Sequence, residues 1–263
     1  MTDFKHISKA TDGRIATITL NRENVYNAFN IEMIREIASA FRSLNDQEDI
    51  RIIIIRGNGP HFSSGADLNW MKDGQNQSRE ELVAESRELA GLFNHIHHSS
   101  KVTISRIHGN VMGGANGIVA ATDIAVADET ALFAFTEARL GLIPATIAPY
   151  IVMKTGNAVA AEWMLTARKI RSGEALQKGL IQHVTRMADL DAKVNELCKE
   201  ILKNGPEALA GIKDLIWNFE HDMDQEQIIR FTSELIARYR TSKEGQEGIS
   251  AFFEKRKPSW HNE

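Results

Sequence analysis

Two glycine-rich stretches and one glutamate give this chain a combination suited to moving a proton beside a developing negative charge. The first stretch, Val111-Met112-Gly113-Gly114-Ala115-Asn116-Gly117, holds three glycines in seven residues. It follows the apolar run Val102–Ile107 and opens an alanine-rich segment. Bare N–H groups at the start of a helix can face a developing negative charge, and the helix dipole assists them. Glu137 stands twenty residues past the last of these glycines, a carboxylate able to move a proton beside that charge. An isolated Gly-Gly pair serves equally to let two elements pack closely. The second stretch, Gly57-Asn58-Gly59-Pro60-His61-Phe62-Ser63-Ser64-Gly65-Ala66-Asp67-Leu68, shifts that balance. It too follows an apolar run, Ile52–Ile55, and ends in small residues before a helical segment. Two such junctions can hold two N–H donors that converge on one oxygen, an arrangement that stabilises an enolate.

The elements that must position these groups alternate through the first two-thirds of the chain. Phe4–Ile7 and Ile15–Leu20 read as paired strands around the Asp12-Gly13 turn. Ile31, Ile34, Ile37, Phe41 and Leu44 mark one face of an amphipathic helix. Ile52–Ile55 is a short buried strand, Glu80–His98 a helix, and Val102–Ile107, Ile124–Ala127 and Leu132–Phe135 further strands. Strands recurring with crossover helices imply an α/β protein with helices packed on sheets. From about Leu190 the strands stop, and helical faces run through Leu190–Ile201, Leu209–Phe219, Ile228–Tyr239 and Gly245–Phe253. Asn204-Gly205-Pro206 breaks that series, with proline suited to a first helical turn. The expected division is therefore a core over residues 1–203 and a helical subdomain over 204–263.

Composition excludes several classes. A chain of 263 residues, 43% hydrophobic, can bury a full core in one large domain with a small appendage. A net charge of −4 offers no electrostatic case for nucleic acid or an anionic membrane surface. The single Cys198 cannot support an internal disulfide framework and suits a reducing cytoplasm, the expected location. Lying beside the stripe Leu190, Val194, Leu197 and Ile201, it reads as a core thiol. The N-terminus lacks a signal-peptide apolar region, and no apolar run approaches spanning length. His95, His97 and His98 have no cysteine or carboxylate pattern to make a metal site, and none is expected. Neither a Walker loop nor a G-x-G-x-x-G fingerprint is present, and Ser63 and Ser64 lack a nucleophile elbow.

From Ile15 to Trp260 the chain resembles the crotonase (enoyl-CoA hydratase/isomerase) superfamily. The residues that carry the resemblance are the two glycine-rich stretches and Phe133-Ala134-Phe135-Thr136-Glu137 with Leu140-Gly141-Leu142-Ile143-Pro144. The resemblance implies a spiral of ββα turns with a C-terminal helical subdomain that builds homotrimers, commonly stacked as hexamers (dimers of trimers). It implies an acyl-CoA substrate, coenzyme A being part of that substrate, with no prosthetic group. It assigns the oxyanion hole to the N–H groups of Ala66 and Gly114, and general acid/base work to Glu137. It assigns coenzyme A contacts to Val25 and Ala28 in Asn24-Val25-Tyr26-Asn27-Ala28, and to Ser64, Ala66 and Leu68. Phe252 and Lys255 in the terminal Ala251-Phe252-Phe253-Glu254-Lys255-Arg256-Lys257 match a tail that reaches coenzyme A, often on a neighbouring subunit.

One departure matters. Hydratases of the best-known type hold the attacking water between two glutamates, and the first of these positions is Gly117 here. Glycine cannot bind or deprotonate water through a side chain, and the side chain of the adjacent Asn116 points elsewhere on a helix. Gly65–Lys72 and Arg139–Tyr150 resemble the bacterial methylglutaconyl-CoA hydratase branch, which also carries glycine at this position. Its substrates bear a distal carboxylate, for which Lys72 and Arg106 are the candidate partners. The expected activity is addition of water to the 2,3-double bond of an enoyl-CoA, methylglutaconyl-CoA among the substrates, in leucine or related catabolism. A Δ3,Δ2-enoyl-CoA isomerase needs only one base and is the alternative. A non-catalytic acyl-CoA-binding or RNA-associated scaffold is the alternative of another class, its RNA version weakened by the acidic balance.

Overall fold

The Asp12-Gly13 turn closes a hairpin, with Gly13 at φ +51°, a left-handed conformation that glycine adopts without a Cβ clash. A computed structural model describes residues 4–218 and 223–261. In it β1 (Ile7–Asp12) and β2 (Ile15–Leu20) run antiparallel, Asp12 opposite Ile15 and Ile7 opposite Leu20. The first strand therefore starts where Phe4–Ile7 was expected to end. A tight turn makes pairing run right up to it, and β1 beyond Ile7 is an exposed polar row with no alternation to mark it.

The strands that follow are β3 (Ile52–Gly57), β4 (Val102–Ile107), β5 (Asn110–Met112), β6 (Ile124–Asp128), β7 (Leu132–Ala134), β8 (Ile170–Arg171) and β9 (His183–Thr185). They form a six-stranded sheet in the order β1-β2-β3-β4-β6-β9 and a three-stranded sheet in the order β5-β7-β8. β2 with β3, β4 with β6 and β6 with β9 pair in parallel, as crossover connections require. Burial of all four isoleucines of Ile52–Ile55 reflects a strand covered on both faces.

Helices α1 (Ile31–Asn45), α2 (Leu68–Asp73), α3 (Arg79–His97), α4 (Ala115–Ala121), α5 (Ala148–Thr155), α6 (Asn157–Thr166), α7 (Ser172–Gln177) and α8 (Leu190–Leu202) intersperse these strands. Asn30 caps α1 through the N–H of Met33, and Ile34, Ile37, Phe41 and Leu44 bury the expected face. Ser78 and Glu81 form a capping box on α3. Phe29, Phe41, Phe62, Phe93, Phe133, Phe135 and Trp163 fill the core.

Contacts divide the chain into two units, Met1–Ser99 with Thr103–Asn195, and Ser100–Val102 with Glu196–Glu263. The second holds the end of α8 with α9 (Pro206–Asn218), α10 (Gln225–Thr241) and α11 (Lys243–Phe253). Phe219, the expected end of the helix from Leu209, lies outside the described residues. Pro206 opens α9, and the Glu244 carboxylate accepts from the N–H groups of Glu207 and Ala208 at 2.8 Å each. The buried Cys198 thiol is pushed up to about 11 by burial. Among the described residues no helix is long and apolar enough to cross a membrane.

Candidate active site

After β3 the chain turns back on itself and lays Phe62–Ser63 along β5. Phe62 N–H donates to His108 C=O (2.9 Å), Ser63 N–H to Asn110 C=O (3.1 Å), and Met112 N–H to Ser63 C=O (3.1 Å). Gly65 then takes φ +92°, and a Cβ there would lie 2.8 Å from the Met112 carbonyl oxygen, so only glycine fits so close to β5. Phe29 N–H donates to Gly65 C=O (2.7 Å) and Asp67 N–H to Phe29 C=O (2.8 Å). Those two bonds flank Ala66. In an extended chain successive amides face opposite sides, so the Ala66 N–H faces away from Phe29. Among the described residues it donates to no protein acceptor, and Ala66 is exposed.

The second loop follows β5. Gly113, at φ +52°, donates its N–H to Ala134 C=O (2.8 Å), tying the loop to β7. Gly114 is the N-cap of α4, where the first N–H groups have no intrahelical partner. Its N–H likewise meets no protein acceptor among the described residues. Two residues on, Asn116 is fully buried and donates from Nδ2 toward three carbonyls: Gly113 (3.0 Å), Ala134 (3.0 Å) and Val111 (3.3 Å).

Glu137 enters from β7, at the start of a 3-10 turn over Glu137–Leu140 that ends on Gly141 at φ +70°. Its Oε1 lies 3.4 Å from the point a Gly113 Cβ would occupy, which puts the carboxyl against the glycine preceding Gly114. Its Oε2 is buried and has no hydrogen-bond partner. Burial, only partly offset by a hydrogen bond from its own backbone N–H, holds its carboxyl above the ordinary carboxylate range. A half-buried carboxyl whose charged form is disfavoured in this way is suited to take and return a proton.

Gly117 faces an apolar wall. A Cβ there would come within 2.5 Å of Ile147 Cγ2 and 2.6 Å of the Phe93 ring. Phe93 packs in turn against Tyr150, with ring centroids 6.1 Å apart, and Tyr150 against His97 at 5.5 Å. Sequence reasoning found Gly117 but missed Phe93 and Ile147, because those contacts join α3 and the start of α5 to α4 with no local signature.

Val25, Ala28 and Ser64 come together beside the first loop. Ser64 donates from its N–H to Tyr26 C=O (2.9 Å) and from its hydroxyl to Val25 C=O (3.1 Å). Tyr26 and Asn27 both sit at positive φ, +53° and +58°, held by the buried Asn27 amide donating to Asn58 and His61 carbonyls at 2.8 and 3.0 Å. Arg22 donates to Ala28 C=O and, at 2.8 Å, to the Asp67 carboxylate, bonding the 24–28 turn to the residue after Ala66. Leu68, at the start of α2, is 78% exposed. Phe252 and Lys255 belong to the second unit, both exposed, with Lys255 at φ +56° just past α11. Lys72 is exposed on α2. Arg106 is committed elsewhere: its guanidinium donates to the Asp191 carboxylate at 2.8 and 3.1 Å and contacts His108 Nδ1 at 3.1 Å.

The sequence pattern of the enoyl-CoA hydratase/isomerase family matches residues 10–263. The chain belongs to that family. A crystal structure of an enoyl-CoA hydratase from Shewanella pealeana superposes with a TM-score of 0.94 at 38% identity, covering 98% of this chain and 96% of that one. The enoyl-CoA hydratase EchA19 of Mycobacterium tuberculosis is 31% identical over 261 residues, 95% of this chain and 94% of its own. The carnitinyl-CoA dehydratase of Escherichia coli is 29% identical over 266 residues, 99% of each chain. The protein is thus an enzyme of the crotonase family with the expected α/β crotonase fold and C-terminal helices.

Proposed function

We propose that this enzyme adds water across the 2,3-double bond of an enoyl-CoA thioester through an enolate held by Ala66 and Gly114, with Glu137 as its one acid/base. The observation that carries the reading is the pair of N–H groups without acceptors on neighbouring loops, beside a buried carboxyl whose Oε2 is unbonded. Two such donors on the thioester oxygen stabilise the charge that reaches it as oxygen attacks C3. The Glu137 carboxylate takes a proton from the attacking water, the C3–O bond forms, and the electron pair of the double bond moves onto the thioester. The carboxylic acid then returns that proton to C2, and Glu137 is a carboxylate again. Its raised proton affinity suits both halves of the cycle.

Coenzyme A lies, in this reading, against Val25, Ala28, Ser64, Ala66 and Leu68, with Phe252 and Lys255 contributed by a neighbouring copy. The second unit would build the homotrimer or hexamer, a reading supported by its exposed Ile212, Ile216, Ile229, Ile236, Phe252 and Phe253. Methylglutaconyl-CoA is the substrate favoured by the Gly65–Lys72 and Arg139–Tyr150 stretches together with Gly117. Arg106 does not serve as partner for its distal carboxylate, because Asp191 engages it. Lys72 is left in that role.

The apolar wall at Gly117 favours a second reading, a Δ3,Δ2-enoyl-CoA isomerase, which needs no second group to hold water. Turnover in ¹⁸O-labelled water separates the two. Label at C3 of the product from a 2-enoyl-CoA supports the hydratase, whereas conversion of a 3-enoyl-CoA without label uptake supports the isomerase. Comparing crotonyl-, methylglutaconyl- and 3-hexenoyl-CoA tests the branch, and activity confined to crotonyl-CoA would defeat it.

A further inference from the structure

The Asn116 side chain hydrogen-bonds to both strands of the site, β5 through Val111 and β7 through Ala134. Its Nδ2 lies 3.0 Å from the Gly113 carbonyl, 3.0 Å from that of Ala134 and 3.3 Å from that of Val111. An amide nitrogen has two hydrogens, so these three acceptors occupy it fully. The nitrogen must face them, since an amide oxygen there would meet three other acceptors. Val111 and Gly113 lead directly into Gly114, and Ala134 closes β7 three residues before Glu137. The backbone adds one bond across the same gap, Gly113 N–H to Ala134 C=O at 2.8 Å. The side chain is wholly buried, and its Oδ1 has no partner, so burial of this amide costs stability that its Nδ2 contacts only partly offset. A stabilising core residue of this size would be apolar. The loop instead carries a donor.

Resting on the proposed reading of Ala66, Gly114 and Glu137, we propose that Asn116 is a positioning residue that sets the Gly114 N–H against the Glu137 carboxyl by clamping the loop after β5 to the end of β7. Asn116 touches no reacting atom. It fixes the spacing between the donor that receives charge and the group that moves the proton, a spacing on which rate depends steeply.

The test compares Asn116→Ala, Asn116→Ser and Asn116→Asp with the parent enzyme, after thermal melts identify the variants that fold. Butyryl-CoA labelled with ¹³C at its carbonyl serves as an unreactive ligand, and difference infrared reads the shift of its thioester stretch on binding. In the parent enzyme the stretch moves to lower frequency. In the alanine and aspartate variants that shift shrinks and kcat for the enoyl-CoA falls about tenfold to a hundredfold, while butyryl-CoA affinity changes little. Serine, which keeps one donor, falls between. Folded variants with the parent shift and parent kcat would overturn the assignment and leave the oxyanion hole standing. Loss of cooperative folding in all three would also overturn it, making Asn116 a residue of the fold at large. Absence of any shift in the parent enzyme would remove the oxyanion reading itself, and Asn116's role with it.

Discussion

The ring of Phe93 occupies the space that a side chain at position 117 would need: a Cβ on Gly117 would stand 2.6 Å from it and 2.5 Å from Ile147. Both neighbours are fully or almost fully buried, so neither can swing away into solvent. Gly117→Ala is expected to lower stability by about 1–3 kcal/mol, as overpacking does. Gly117→Glu should fare worse, adding a charge to an apolar wall, and should gain no hydration rate. Thermal melts of both variants check the first point and crotonyl-CoA hydration the second.

Glu137→Gln should cut turnover by orders of magnitude while leaving acyl-CoA binding within a few-fold, because the amide keeps the shape and loses the proton transfer. Steady-state kinetics with a calorimetric Kd for butyryl-CoA measure the two separately. Turnover like that of the parent enzyme would take Glu137 out of the mechanism.

The same residue predicts a pH signature in stability. Its folded pKa is raised by burial above the ordinary glutamate value of 4.5, so the folded state holds this proton more tightly than the unfolded chain does. The contribution is therefore fully present below about pH 4.5 and is lost as pH rises through the folded value. Glutamine is neutral throughout. The difference in Tm between Glu137→Gln and the parent enzyme should grow in the variant's favour from pH 4 to pH 8, and a flat difference across that range would contradict the assigned burial.

Arg22 and Asp67 form a largely buried pair at 2.8 Å, with side chains 15% and 9% exposed. Asp67→Asn leaves the guanidinium without its charge partner beside the 24–28 turn, and the expected loss of stability is about 3 kcal/mol. KM for acyl-CoA should rise more than kcat falls, since the turn is assigned to coenzyme A. Melts and initial-rate kinetics report both.

How much of this was legible in the sequence follows from how local each signal is. The two glycine-rich stretches stood out because backbone donors that face a ligand need small residues, although Ala66 and Gly114 were assigned within them only by the family resemblance; Ile52–Ile55 stood out because a strand covered on both faces must be apolar throughout. β1 was misplaced because its exposed residues alternate nothing, and pairing from the Asp12-Gly13 turn sets its bounds. β5, β8 and β9 were missed, being two or three residues long and defined only by their partners. Arg106 is engaged by Asp191, 85 residues away, a pairing with no local signature. The Asn116 clamp was invisible for a similar reason: its acceptors are carbonyls, which every residue has.

A crystal structure of Glu137→Gln with an enoyl-CoA bound shows whether the two amides grip the thioester oxygen. The thioester oxygen is expected about 3 Å from the nitrogens of both Ala66 and Gly114, with C2 facing the side chain at position 137. A thioester oxygen bonded to water or to other groups, with both amides still unengaged, would contradict that arrangement.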